Sequence, residues 1–126
     1  MKFTEKNPPR KYEVGYDKKG IISDFGTMSL ASDEQITFLT ESGAEYDVTR
    51  KEWGFYATPS LNGRLESFNL RAVLTKNRYD RFFIMLVERG KEDSFMDYVN
   101  QEPLQIVAWL DSNENLKKLD EKLNQL

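Results

Sequence analysis

Cysteine and histidine are both absent from this chain of 126 residues. Without cysteine there are no disulfides, no thiolate nucleophile and no thiolate metal ligands, so stability must come from packing. The lack of thiols fits a reducing compartment, and a cytoplasmic location is expected. Without histidine, Ser-His-Asp catalysis, imidazole metal sites and imidazole proton relays are excluded. Long apolar runs are missing as well. The longest stretch free of charge is residues 53–63, well short of the ~20 residues that a membrane-spanning helix needs, and no signal-like apolar run lies near residue 1. The glycines never form GxGxxG. Gly15 and Gly20 have the spacing of a phosphate-binding loop, but Ile21 and Ile22 stand where Lys and Ser or Thr are required. A non-catalytic or accessory role without a cofactor or metal is therefore expected.

Aromatic residues make up 13% of the chain, enough to support a core in one ordinary domain, since each ring removes a large area from water. The net charge is −3, but it is unevenly spread. Residues 1–49 carry six basic and nine acidic side chains, residues 50–91 nine and four, and residues 92–126 three and eight. The basic middle suits a local anion, while the acidic flanks oppose long-range attraction to nucleic acid.

Residues 1–9 are polar with two prolines in succession and are expected as a loose arm, leaving residues 10–126 as a single domain. Alternation of Tyr12, Val14 and Tyr16 with Lys11, Glu13 and Gly15 predicts a strand, and residues 17–20 predict a turn that leads to Ile21 and Ile22. Residues 35–40 and 45–49 flank a Gly43-containing connection, which predicts a hairpin with Ile36, Phe38, Tyr46 and Val48 buried. Residues 68–75 alternate. Residues 82–87 and 106–110 are apolar on both sides and are expected as central strands. Helices are predicted after Gly90, ending at Pro103, and after Asp111. The second carries a capping-box spacing between Asp111 and Glu114, a Glu114 to Lys118 pair, and a stripe of Leu116, Leu119, Leu123 and Leu126. The fold expected is α+β: an antiparallel or mixed sheet of about five to seven strands, with two helices in the C-terminal third packed on one face.

Two places carry candidate chemistry. Glu45 and Asp47 lie two apart on one strand face, a spacing that allows paired carboxylates, although a solvated strand face is the ordinary explanation and nothing else marks the two as desolvated. Residues 53–63 hold three aromatic rings and several hydroxyl and amide groups beside Arg50, Lys51 and Arg64. From this region the expected ligand site is Trp53, Tyr56, Ser60, Asn62, Arg64 and Arg71. Guanidinium groups would grip a phosphate or carboxylate, rings would stack on a sugar or base, and Ser60 and Asn62 would bond hydroxyls. The expected function is binding of a small anionic or sugar-containing ligand. The rival is a protein-interaction or homodimerisation module that uses the leucine stripe or a sheet edge, and a carboxylate-dependent enzyme ranks third. No nucleic-acid or membrane partner is expected.

Overall fold

The computed structural model describes residues 1–125. Among the described residues the fold is α+β, with eight strands in three antiparallel sheets and three helices. The chain divides into two compact units, residues 1–37 with 47–58, and residues 38–46 with 59–126.

The first unit opens with a long ribbon. Strand β1 (Lys2–Val14) pairs antiparallel with β2 (Gly20–Ser29) from Lys2 opposite Ser29 to Val14 opposite Gly20, with an irregularity on β1 between Glu5 and Arg10. The turn forms as its residues dictate. Lys18 N–H donates to Gly15 C=O, Lys19 N–H donates to the Asp17 carboxylate, and Gly15 and Lys18 take positive φ. Residues 2–9, expected as part of a loose arm, are strand. The prolines fall where the ladder shifts register, so the missing N–H groups cost no regular pair. Asp24 lies within β2 and holds Lys6 Nζ at 2.9 Å and an Arg10 nitrogen at 3.4 Å. Phe3 faces Met28 and Tyr12 faces Ile22 across the ribbon, yet all four remain exposed. Gly26 takes a φ of +153°, and a Cβ there would strike the Phe3 ring and the Thr4 carbonyl. A glycine is required where the ring crosses the strand.

Strands β3 (Gln35–Leu39), β4 (Glu45–Lys51) and β5 (Gly54–Ala57) form the second sheet in that order. The unit boundary passes through β3 and β4. The expected hairpin is present, with Ile36, Tyr46 and Val48 of its expected buried set half-buried. Phe38 is exposed, whereas Asp47 and Thr49 are buried. Hydroxyl donors make this possible, because they satisfy the carboxylate that burial strips of water.

The second unit holds the apolar core. Strand β6 (Leu70–Lys76) is central, with β7 (Phe82–Glu88) on one side and β8 (Gln105–Trp109) on the other. Both apolar runs expected at the centre are therefore edges. The centre instead goes to β6, whose Ala72, Val73 and Thr75 are small or β-branched and fully buried. On one face Leu70 and Ala72 cluster with Ala44 and with Leu65 of α1 (Arg64–Ser67), and Tyr46, Leu86 and Leu110 pack around them. On the opposite face Trp109 lies opposite Val73, and Phe95 of α2 (Glu92–Gln101) meets its ring edge-on at 6.0 Å. The helices thus fall on both faces of this sheet. The short α1 has too few residues to show a period in the sequence.

The final helix, α3 (Asn113–Asn124), is capped by Ser112 rather than Asp111, since Ser112 Oγ accepts the Asn115 N–H. Asp111 is drawn instead to two arginines. The Glu114 to Lys118 pair forms at 2.9 Å. Leu119 and Leu123 are exposed, and Leu126 of the expected stripe lies outside the described residues. Among the described residues no helix is long and apolar enough to cross a membrane.

Candidate functional site

Trp53 sits at the bend between β4 and β5, where Lys51 faces Gly54 and Gly54 takes a positive φ that spares the tight turn a side chain. The bend places Trp53 above Tyr56, with ring centroids 6.2 Å apart and planes 22° from parallel. The indole is 71% exposed and the phenol 45%. Beside them Lys51 is bound to Asp33. That hydrogen bond, followed by the Asp33 charge, pushes the lysine above its ordinary range. Lys51 is thus a cation already matched to an anion.

Asp47 is 8% exposed. Its carboxylate accepts from Thr37 Oγ1 at 2.6 Å and from Thr58 Oγ1 at 3.3 Å, one threonine on each oxygen, and its carbonyl accepts the Thr58 N–H. The group pins a strand to its flanking segments. Asp47 is nearly closed off from solvent, and each of its oxygens already accepts one threonine hydroxyl.

In the second unit Ser60 Oγ accepts the Arg64 N–H at 2.8 Å, so its hydroxyl starts α1. Asn62 donates to the Asn113 side chain at 2.9 Å, and both residues border an open cavity of about 430 Å³ together with Leu116, Lys117 and Asp120. The Arg64 guanidinium lies 5.3 Å from the centre of the Phe68 ring, on an exposed surface. Arg71 is the most heavily engaged residue of the set. Its Nε donates to Asp111 at 2.9 Å, one terminal nitrogen lies 3.6 Å from Glu92, and the guanidinium covers Trp109 at 4.0 Å. The bond to Asp111 raises Arg71 above its ordinary range. Arg89 reaches the same carboxylate at 3.8 Å, with its buried Nε unpartnered.

Of the six expected ligand residues, Trp53 and Tyr56 belong to the first unit and are brought together. Ser60, Asn62, Arg64 and Arg71 belong to the second, where Ser60 holds the Arg64 N–H, Asn62 bonds Asn113 beside the open cavity and Arg71 is paired with Asp111 and Glu92. Among the described residues no group of three or more acidic side chains is arranged to hold a metal ion. No family model, curated protein or solved structure matches the chain.

Two features escaped the sequence reading. The ribbon exposes apolar side chains on both of its faces, and β7 exposes Phe82, Phe83 and Ile84 in succession. Apolar alternation and apolar runs are ordinarily signs of burial, so the residues themselves pointed the opposite way. The cue lay in what is missing around them, since residues 1–34 contain no segment long enough and apolar enough to cover a ribbon.

Proposed function

We propose that the chain is a protein-interaction module whose first unit docks on an apolar surface of another protein. One observation carries this reading. The buried side chains of that unit, among the described residues, are Asp47 and Thr49, while Phe3, Tyr12, Ile21, Ile22, Phe25 and Met28 of its ribbon are exposed. A two-stranded ribbon is marginal in water by itself, and exposed apolar patches of this kind mark contact surfaces. The character of the partner follows from charge. The unit carries eight basic and eight acidic side chains, and Lys6, Arg10 and Lys51 are already paired with Asp24 and Asp33. A neutral, internally paired surface has little to offer a phosphate backbone or an anionic membrane.

The test is site-specific photo-crosslinking in the source cells. A photoreactive residue in place of Phe25 is expected to yield a discrete protein adduct that disappears when Ile21 and Met28 are changed to Ser. The same probe in place of Lys19, at the turn, is expected to yield none. Equal labelling from both positions, or an adduct indifferent to the Ser changes, would overturn the reading.

A second reading rests on the stacked, exposed pair of Trp53 and Tyr56. Such a pair suits the apolar face of a small sugar-containing ligand. Titration with sugars, sugar phosphates and nucleotides is expected to shift the amides of residues 51–56. Shifts absent there would remove this reading, and shifts that persist after Arg64→Ala would remove the arginine from it.

A further inference from the structure

We propose that the chain pairs with a second copy of itself through the open edge of β7, two copies running antiparallel with Ile84 on the twofold axis. This surface is independent of the docking role of the first unit, because every residue it uses lies in the second.

The backbone fixes which groups are on offer. Arg89 N–H donates to Asn69 C=O, and Asn77 N–H donates to Arg81 C=O. These two pairs bracket the β6–β7 ladder, and antiparallel bonding alternates, so residues 81, 83, 85, 87 and 89 turn their backbone groups toward β6. Phe82, Ile84, Leu86 and Glu88 turn theirs away from the sheet. The Glu88 carbonyl is taken by the Lys91 N–H, which leaves Phe82, Ile84 and Leu86 as the edge.

Edges of natural sheets are ordinarily guarded by charge, proline, a bulge or a cover. The β8 edge follows the rule, with an irregularity opposite Leu74 and Thr75 and the Trp109 carbonyl occupied by Asn115 Nδ2 at 2.9 Å. The β7 edge does not. From Phe82 to Leu86 it contains no charge, no proline and no glycine, its pairing with β6 is regular, and Phe82, Phe83 and Ile84 are 58%, 43% and 68% exposed.

The choice of a second copy comes from matching β7 against itself. Since alternate residues face outward, an antiparallel self-pair requires the axis to pass through a residue rather than between two. With the axis on Met85, Phe82 meets Glu88 of the second copy and Arg81 meets its Arg89, like charges directly opposed. With the axis on Phe83, Arg81 and Asp80 are laid against apolar Met85 and Leu86. With the axis on Ile84, Phe82 meets Leu86, Phe83 meets Met85 and Ile84 meets itself, so the three residues with free backbone groups pair only with one another and five consecutive positions are apolar against apolar; Arg81 then lies against Val87, and Asp80 and Glu88 meet only beyond that run. The product is one continuous six-stranded sheet.

Because the chain has no cysteine, single thiols can report the register. Purified full-length Ile84→Cys is expected to form a covalent dimer under mild oxidation, since residues directly opposed lie within disulfide reach. Phe82→Cys, whose copies sit four residues apart along the ladder, is expected to cross-link about tenfold more slowly or less. In sedimentation the unmodified chain is expected to dimerise reversibly with concentration, and Ile84→Lys to remain monomeric with its Trp109 fluorescence intact. Equal cross-linking by the two thiols, faster cross-linking by Met85→Cys than by Ile84→Cys, or a chain that stays monomeric at every concentration would overturn the proposal. The thiol comparison decides the matter even where Ile84→Lys does not fold. Loss of this dimer leaves the Phe25 crosslink unchanged, and loss of that crosslink leaves the dimer unchanged.

Discussion

The two units reach order by different means. In the second, Leu65, Ala72 and Val73 are shut away from water and a central strand is covered on both faces. In the first, the buried side chains are a carboxylate and a hydroxyl, and its strands are joined by backbone ladders, threonine hydroxyls and ion pairs at Asp24 and Asp33. Hydrogen bonds and exposed ion pairs contribute little net stability, because water competes for the same groups, whereas apolar burial contributes in proportion to area. On the proposed reading, the second unit is stable by its own packing and the first is the part that gains from a partner. Each unit also contains one tryptophan, Trp53 in the first and Trp109 in the second, so replacing either by Phe lets the other report its own unit.

The largest effect separates the units most sharply. Leu65 is fully buried in the cluster of Ala44, Leu70 and Ala72, so Leu65→Ala is expected to cost about 3 kcal/mol, from lost transfer energy and the cavity left behind. Urea titration followed at Trp109 checks this. In the first unit the corresponding weak point is polar. Asp47→Ala leaves the Thr37 and Thr58 hydroxyls without their acceptor and is expected to cost about 2 kcal/mol, read at Trp53, with Asp47→Asn milder because one acceptor oxygen survives. A turnover abolished by both changes while Trp53 fluorescence stays native would favour the carboxylate enzyme instead.

Much of this difference was open to reading in the sequence. The turn at residues 15–19, the hairpin around Gly43, the helix ended near Pro103 and the Glu114 to Lys118 pair all depend on local chemistry, and local chemistry is what a sequence displays. What depends on neighbours was not visible. Whether an apolar strand is central or at an edge is decided by which segments lie beside it, and β7 and β8 have the composition of central strands while sitting at edges. Ser112 took the cap because Arg71 and Arg89 had claimed Asp111, a competition between residues 40 and 22 positions apart. For the candidate site, the aromatic half was legible, since Trp53 and Tyr56 lie on one short hairpin. The arginine half was not, because Arg71 answers to acids far along the chain.

Acid sharpens the comparison to a smaller degree. In the first unit Asp24 is held below its ordinary 3.8, first by the Lys6 hydrogen bond and then by the Gly26 N–H, and Glu34 is held below 4.5 by the Ala31 N–H and then the N-terminal amine. A carboxyl whose folded value is depressed stabilises above its unfolded value and loses that contribution as pH falls through the folded one. Ribbon order is therefore expected to be constant from neutral pH down to about 5 and to fade below about 4, with Asp24→Asn abolishing most of the change. The second unit carries Glu88 and Glu92, both likewise depressed, but its apolar core is expected to keep Trp109 native where Trp53 has already responded.

The smallest effect is expected at the ribbon's surface. Ile21→Ser and Met28→Ser remove exposed side chains, and in the isolated chain each is expected to change stability by no more than about 0.5 kcal/mol. The same pair is expected to eliminate the crosslink from the first unit. Changes harmless to the fold and fatal to a contact identify a docking surface.

Hydrogen exchange of the purified, dilute chain bears most directly on the contrast between a packed unit and an unpacked one. Amides of residues 72–75 in β6 are expected to exchange slowest, and those of residues 2–14 and 20–29 faster by orders of magnitude. Equal protection of the ribbon and of β6 in the free chain would mean that the first unit is stable unaided, and the need for a partner would vanish with that result.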